Sequence, residues 1–526
     1  MLVVACVAMK VRATWALWVA LLGLGAGCGD DDDGAAGEGG ASGSGVAGQA
    51  GASAGGKSGA GGAGLSGSSG RAGAAAGHGG ASGVGGLAGA GAQGGSAGVG
   101  GAAVAGAGGA SLAGAGGAMA GAGGGAVVEP TFVERQSLRP ADVAILVNTD
   151  DPQSVAVGDY YRSARGIPEA NVVKLALGAG LGTNVGVDTF KGWKQQIDAA
   201  TAPGIQAYAV TWTQPSVVDC MSLTSALAFG YDDKWCNKSG QVCGGTASSP
   251  YYNAADGTAP VSLGVRPSMV LAGTSVENVK ALIDRGVSAD ATFPTGDGWL
   301  ITTTDSARSS RSFEFQQTTS LWSDPSVLKL TYVDNSAGKA SDIIENQPNV
   351  LFYFTGLADV PQIATNTYRP GAIADHLTSY GGQIPNSGQM SILRWIEAGA
   401  TASFGTVVEP CNYTTKFPDP TVVLDHYYRG ETLLEAYWKS VQWPGEGLFI
   451  GEPLARPWGT KTSFAAGTLT ITTTTMQVGK TYTLESAPSA DGPWTTVEGN
   501  LSVTSPQPRT LTVANAKAPY YRLSSL

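Results

Sequence analysis

Charged side chains are scarce in this 526-residue chain, and nowhere do basic residues form a cluster. Only 14% of the residues are Asp, Glu, Lys or Arg, and the formal net charge is -10. Nucleic-acid backbones are bound by grouped Lys and Arg side chains, so this composition excludes nucleic acid as a partner. Of the three histidines, only His376 and His426 lie in the part expected to fold. We therefore expect neither a metal site nor a cofactor.

Long hydrophobic runs are also missing. Lys10 and Arg12 precede an apolar segment at residues 13–24, which is shorter than the roughly 20 residues that a transmembrane helix needs. A basic region, a short apolar region and small residues are the order of an export signal. The string LGAGC, which ends at Cys28, resembles a bacterial lipoprotein box. This resemblance implies a lipoprotein signal peptide at residues 1–28 with lipid on Cys28; an ordinary secretory signal is the alternative.

Residues 29–127 have almost no side chains that could build a core. About half of the chain's 79 glycines fall between residues 34 and 125, mixed with alanine and serine. Such a segment cannot bury enough apolar surface to offset the entropy of ordering it. Together with four aspartates at 30–33, it is expected to be a disordered, hydrated tether. The tether would hold a folded domain away from a membrane of the bacterial cell envelope, with the lipid as the membrane contact.

Residues 128–460 alternate short apolar strands with helical segments. The strand at 142–148 (DVAILVN) precedes helical spacing at 152–165, and the strand at 350–355 (VLFYFT) is wholly apolar. This alternation is typical of an α/β domain with a mostly parallel sheet covered by helices on both faces, as in doubly wound folds. From residue 461 to 526 the pattern becomes threonine-rich and alternating, which predicts a small all-β module.

Four cysteines lie in the part expected to fold: Cys220, Cys236, Cys243 and Cys411. An even number in an exported chain is typical of disulfides. Cys236 and Cys243 enclose a short polar loop, so we expect them to pair, which leaves Cys220 for Cys411. A metal site and a free, reactive Cys411 are the alternatives.

Several strings between residues 141 and 457 are specific enough to suggest a family. They are DPQS at 151–154, RGIP at 165–168, CMS at 220–222, GATASFGT at 399–406 and EAYWKSV at 435–441. Together they resemble an uncharacterised group of exported bacterial proteins found chiefly in species with an exosortase-type sorting system. The resemblance implies export and does not bring an activity with it.

The same region is distantly similar to the caspase-like cysteine peptidases of the gingipain type. The likeness rests on the unit ending in RGIP, a strand ending in Thr355 and Gly356, and GEP at 451–453. Those peptidases place a histidine after the glycine and a cysteine at the next strand end, because imidazole must deprotonate the thiol. Leu357 stands at the histidine position, and Cys411 is the only cysteine that follows. The resemblance thus implies a caspase-like scaffold without a recognisable nucleophile.

Carboxylates after the predicted strands are the first candidates for chemistry. Ligands of open α/β sheets bind beyond the carboxyl ends of strands, which selects Asp150, Asp151, Thr213, Asp359 and Glu409. Grouped, the four carboxylates would act as an acid and base pair or hold a hard cation. Alternatively, Asp150 and Asp151 cap the helix that begins near residue 152, and Glu409 is a structural hydrogen-bond acceptor.

Two functions follow from these residues. The first is an exported, membrane-tethered lipoprotein whose caspase-like domain is non-catalytic and serves binding or surface organisation. The second is a hydrolase that uses either Cys411 with His376, in the manner of cysteine peptidases, or a carboxylate site near Glu409 and Asp359. Whether the protein is an enzyme is left open by the sequence.

Overall fold

A computed structural model describes residues 129–134, 137–238 and 243–525. The expected signal peptide, Cys28 and the whole of the expected tether lie outside the described residues. Within the described part of the chain, no helix is both long and apolar enough to cross a membrane.

The strands belong to one large sheet and several small ones. In chain order they are β1 (Thr131–Phe132), β2 (Val143–Asn148), β3 (Val172–Leu175), β4 (Asn184–Val185), β5 (Ala207–Val210), β6 (Val217–Val218), β7 (Met221–Ser222), β8 (Ser268–Val270), β9 (Asp297–Thr302), β10 (Lys329–Asp334), β11 (Val350–Thr355), β12 (Tyr368–His376), β13 (Ala402–Thr406), β14 (Gly447–Gly451), β15 (Lys461–Ala465), β16 (Thr468–Thr473), β17 (Tyr482–Ala487), β18 (Thr495–Leu501), β19 (Arg509–Val513) and β20 (Tyr520–Ser525).

The α-helices lie between the strands of the large sheet. They are α1 (Pro152–Arg165), α2 (Val187–Ala200), α3 (Leu223–Phe229), α4 (Val276–Ala289), α5 (Ser312–Leu321), α6 (Leu393–Ala398), α7 (Pro420–Tyr428) and α8 (Leu433–Ser440). The alternation that the sequence predicted is therefore present.

The large sheet has ten strands in the order β10-β9-β11-β12-β13-β14-β8-β5-β2-β3. Its neighbouring strands run parallel except for β13 and β14, which pair antiparallel from Ala402 with Gly451 to Thr406 with Gly447. The expectation of a mostly parallel sheet within an α/β fold is confirmed.

Strand β2 shows why these strands are apolar throughout. Val143 and Ile145 belong to the same core cluster as Val157 and Tyr161 of α1. The alternate residues of the strand, Ala144 and Leu146, belong to the core cluster on the other face, together with Phe190 of α2. Because helices cover both faces, no position of the strand is left for a polar, solvent-facing side chain.

Two parts of the sheet share one strand order. The first part runs β3-β2-β5-β8, and the second runs β10-β9-β11-β12. In the first part the chain goes from β2 to the edge strand β3 and then to β5, on the other side of β2. In the second part it goes from β9 to the edge strand β10 and then to β11, on the other side of β9. Each part therefore contains a point where the strand order reverses, between β2 and β5 and again between β9 and β11.

The turns after the first strand of each part are built alike. Asn148 and Thr303 are each followed by Thr and Asp and, six positions on, by a serine. Ser154 Oγ accepts a hydrogen bond from Asn148 N at 2.9 Å, and Ser309 Oγ accepts one from Thr303 N at 2.9 Å. Both serines are buried, so each satisfies a backbone N–H that water cannot reach.

We expect Ser154→Ala and Ser309→Ala each to lower the free energy of unfolding by about 1–3 kcal/mol, because each leaves a buried N–H without an acceptor. Chemical denaturation measures the loss. The control is Ser163→Ala on the exposed face of α1, which should change stability by less than about 0.5 kcal/mol. Equal stability of all three variants would contradict the role given to these serines.

The region from β15 onward is all-β, as the sequence predicted. It contains a three-stranded sheet β15-β16-β19 and a four-stranded sheet β1-β20-β17-β18. Leu469, Ile471, Leu484 and Tyr521 form its small core. Strand β1 comes from the other end of the described chain and pairs parallel with β20. The sequence did not reveal this pairing because β1 spans only two residues.

The four core cysteines form two disulfides, Cys220–Cys236 and Cys243–Cys411. The oxidised state is as expected, and it indicates an exported, non-cytoplasmic protein. The pairing expected from the sequence, Cys236 with Cys243 and Cys220 with Cys411, is wrong. Cys236 follows the short 3-10 helix Asp233–Trp235 and lies in the same buried cluster as Cys220. Closeness in the chain therefore did not identify the disulfide partner of Cys236, because Cys236 pairs with the cysteine that shares its buried cluster.

A peptide map made without reductant, after alkylation, should recover Cys220 linked to Cys236 and Cys243 linked to Cys411. No core cysteine should carry the alkylating group, because all four are oxidised. Recovery of a Cys236–Cys243 peptide, or of alkylated Cys411, would contradict the observed pairing.

Candidate functional site

A polar cleft of about 310 Å³ lies beyond the carboxyl ends of β2, β5 and β8. Its polar lining is Asn148, Asp151, Gln153, Thr213, Gln214 and Thr274. Gly178, Gly180 and Gly273 lie along the remaining wall, and the first two have positive φ values of 98° and 65°. Glycine suits these two positions because other residues rarely adopt such backbone angles.

The reversal of strand order explains why a cleft forms here. From β2 the chain leaves through α1 toward β3, whereas β5 lies on the other side of β2. The loop that leaves β2 leads to α1 on one face of the sheet. The loop that leaves β5 leads toward α3, whose Leu223 and Leu227 pack on the other face, so the two loops diverge. Ligand sites of open α/β sheets lie at such reversal points.

The far wall of the cleft comes from the segment after β12. Gly382 N donates to Thr406 O at 2.9 Å, and Ile384 N donates to Ser216 Oγ at 3.3 Å. Pro385, the next residue, lines the cleft. The two parts of the sheet therefore both contribute to this site.

The two aspartates after β2 hold their own loops in place. Asp151 Oδ1 accepts from Gln153 N at 2.9 Å and so caps α1. Asp150 Oδ2 accepts from Gly178 N at 2.8 Å, which fixes the glycine loop that follows β3. Both aspartates were candidate binding residues, with capping of the helix as the alternative. Asp151 has the capping role and also lines the cleft, whereas Asp150 holds the glycine loop instead.

Hydroxyl and amide side chains from β5 onward complete the lining. Thr213, also predicted as a binding residue, donates from Oγ1 to Gly273 O at 3.3 Å. Gln214 Nε2 donates to Thr183 Oγ1 at 3.1 Å. Among the residues lining the cleft there is no Lys, Arg, His or Cys. The site therefore offers hydrogen bonds and one carboxylate, and it has neither a thiol nucleophile nor a cation for an anionic ligand.

Asp359 and Glu409 do not line this cleft. Both are exposed, Asp359 after β11 and Glu409 after β13. Glu409 Oε1 accepts from Cys411 N at 2.9 Å, so it stabilises the turn that carries the disulfide. The grouping of four carboxylates that the sequence suggested is not found at the cleft.

His376 and Cys411, the candidate catalytic pair, are each held by other partners. His376 is fully buried, and its Nδ1 accepts from Trp395 Nε1 at 2.9 Å. Cys411 Sγ is bonded to Cys243. Burial, with the charges of Arg311 and Arg308, lowers the pKa of His376 to about 3. The imidazole is thus a neutral part of the core.

The second reversal point, between β9 and β11, is filled by protein. The carbonyl of Arg308 packs directly against Gly356, where no other residue would fit. Thr303 Oγ1 donates to Gly356 O at 2.7 Å, and Arg308 pairs with Asp305 at 2.7 Å. Leu357, which the sequence comparison placed where caspase-like peptidases have a histidine, follows this closed contact.

Some lining residues were not among those selected from the sequence. Gly273 and Thr274 follow β8, and the rule that selected Thr213 after β5 would also have found them. Pro385 and Gly178 gave no comparable signal, because each lies in a loop whose path depends on contacts with distant parts of the chain.

Comparisons with known proteins add little. No family model matches the chain, and no curated protein matches it. One solved structure, described as "Structure of Protease", aligns over 74% of this chain and 97% of its own, with 10% identity and a TM-score of 0.32. A likeness at that level supports no conclusion about fold or activity.

The low pKa of His376 has a consequence for stability. The unfolded chain binds a proton at this side chain near pH 6.5, whereas the folded chain does not until about pH 3. Since the unfolded state binds more protons between these values, stability falls as the pH drops. Between pH 6.5 and 5 the loss from this group is about 2 kcal/mol.

We expect His376→Gln, which keeps an acceptor for the Trp395 indole, to flatten the pH dependence of the free energy of unfolding over that range. Urea titrations of the variant and the unmodified chain at both pH values give the two slopes. Identical slopes would show that His376 is accessible to protons in the folded state.

Proposed function

We propose that this protein is an exported, membrane-tethered binding protein whose cleft holds a small polar ligand without covalent chemistry. The observation that carries the proposal is the cleft at the reversal point between β2 and β5, with its uncharged hydrogen-bonding groups and single carboxylate. A caspase-like scaffold without a nucleophile is consistent with the repeated strand order and with Leu357 at the family's histidine position.

The chemistry of the lining defines the class of ligand. The amides of Gln153 and Gln214 can donate to and accept from hydroxyl groups of a ligand. The hydroxyls of Thr213 and Thr274, whose protons are donated within the protein, can accept. Asp151 adds negative charge and no lining residue opposes it, so an anionic ligand is disfavoured. A hydroxylated small molecule that is neutral or carries an amine, such as an amino sugar, suits these groups best.

The location proposed for this activity is the bacterial cell envelope. Lipid on Cys28 would anchor the chain, and the glycine-rich residues 29–127 would place the cleft at a distance from the membrane. The disulfides support an oxidising compartment.

The alternative of a hydrolase that uses Cys411 and His376 has less support. It would require reduction of the Cys243–Cys411 disulfide and removal of a buried imidazole from its bond with Trp395. A hydrolase based on Glu409 would need a partner near that exposed carboxylate, which instead binds the Cys411 backbone.

A bulky side chain at the mouth of the cleft tests the proposal. Gln153 lines the cleft at the first turn of α1, so Gln153→Trp should fill it. The binding of D-glucosamine, D-glucose and inorganic phosphate is measured by calorimetric titration. The unmodified chain should bind one of the sugars and should not bind phosphate. The variant should bind that sugar at least about tenfold more weakly, a difference of about 1.4 kcal/mol in binding free energy.

The matched control is Gln195→Trp, which makes the same change on the exposed surface of α2. It should bind as the unmodified chain does. Equal affinity of Gln153→Trp and Gln195→Trp would place the ligand elsewhere, and preferred binding of phosphate would contradict the ligand class.

A further inference from the structure

Asp256, His426 and Glu431 form a cluster that takes no part in the cleft. His426 lies on α7, Glu431 just before α8, and Asp256 in the loop that precedes β8. One ligand atom from each side chain lies within 4.8 Å of the others. His426 and Glu431 are almost fully buried, while the side chain of Asp256 is 12% exposed.

The separations between these atoms suit a shared ion. His426 Nδ1 lies 3.0 Å from Glu431 Oε2 and 3.4 Å from Asp256 Oδ1. Ligands at about 2.0–2.1 Å from a tetrahedral zinc ion are about 3.3 Å apart from one another. A small shift of the side chains would therefore bring all three atoms to bonding distance of one ion.

Hydrogen bonding at the other ring nitrogen orients the imidazole. His426 Nε2 lies 3.1 Å from Asn253 Oδ1, which as an acceptor selects the tautomer with the proton on Nε2. The lone pair of Nδ1 then faces the two carboxylates. Metal-bound histidines have the same arrangement, with the distal N–H donated to a neighbouring oxygen.

The three facing atoms have no hydrogen-bond partner of good geometry among the described residues. They are Asp256 Oδ1, His426 Nδ1 and Glu431 Oε2. The opposite carboxylate oxygens are satisfied: Glu431 Oε1 accepts from Lys439 Nζ at 2.6 Å, and Asp256 Oδ2 accepts from Gln477 Nε2 at 2.8 Å. Buried acceptors that converge on one point require a proton or a cation between them, and Arg429 Nη2 approaches only one of the three, Asp256 Oδ1.

From this geometry we propose that Asp256, His426 and Glu431 bind one divalent transition-metal ion, with Zn²⁺ the best match to the ligand set. His426 Nδ1 and one oxygen of each carboxylate would be the protein ligands, and water would take the fourth position on the exposed side of Asp256. The two carboxylates attract the ion, although Lys439 and Arg429 also pair with them. Lys439 and Gln477 hold the outer oxygens, and Gln477 belongs to the loop between β16 and β17.

A cluster of ion pairs without a metal is the competing explanation, because cationic side chains lie close by. Arg429 Nη2 lies 3.1 Å from Asp256 Oδ1 and 2.6 Å from Asp425 Oδ2. Without an ion, a protonated His426 between Asp256 and Glu431 would be a plain ion-pair cluster. The experiment must therefore separate a bound metal from an imidazolium.

The test is titration of the full chain, first treated with chelator, with Zn²⁺ by calorimetry and with Co²⁺ by visible absorption. We expect one equivalent of each ion per chain and the d–d bands of low-coordinate Co²⁺. Glu431→Gln and His426→Gln should each weaken binding at least tenfold, since even residues that only support a ligand have effects of about 10–100-fold. Chelator should lower the melting temperature of the unmodified chain and leave that of the two ligand variants unchanged.

Asp425→Asn is the matched control, because it removes a neighbouring carboxylate of Arg429 that is not a proposed ligand. It should bind as the unmodified chain does. Absence of stoichiometric binding to the unmodified chain would overturn the proposal in favour of the ion-pair cluster. Binding that persists unchanged in both ligand variants would also overturn it, by placing the ion elsewhere, for example on aspartates 30–33.

Discussion

The structure depends on the reversal of strand order within a mostly parallel sheet. Because β3 and β5 lie on opposite sides of β2, successive helices must cover opposite faces, and the strands between them must be apolar on both sides. The same reversal separates the loops after β2 and β5, which leaves an opening at their carboxyl ends. Core composition, helix placement and the position of the cleft therefore have one cause.

The two reversal points of this sheet differ in what occupies them. Both begin with a turn in which a buried serine accepts a backbone hydrogen bond, from Asn148 in one and Thr303 in the other. At the second point the Arg308 backbone packs against Gly356, whereas the first point is an open cleft partly lined by glycines. One scaffold thus has an open cleft at the first reversal point and a closed contact at the second.

The sequence predicted the elements better than their contacts. Strands such as 142–148 and 350–355 were identifiable because two-sided burial requires uninterrupted apolar residues. Thr213 was selected because it follows a strand, and it lines the cleft. The disulfide partners and the surroundings of His376 were not predictable, since both depend on residues far apart in the chain. The Asp256 cluster was missed for the same reason: His426 meets Asp256, 170 positions earlier, only in the folded chain.

The most direct test of the account is a crystal structure of the exported chain soaked with a mixture of monosaccharides, amino sugars and small amines. The account predicts a molecule bound between Asn148 and Thr213, hydrogen-bonded to Gln153 or Gln214, with both disulfides intact and no covalent bond to the protein. Ligands gathered instead around Cys411 or Glu409, with the cleft filled only by water, would contradict it.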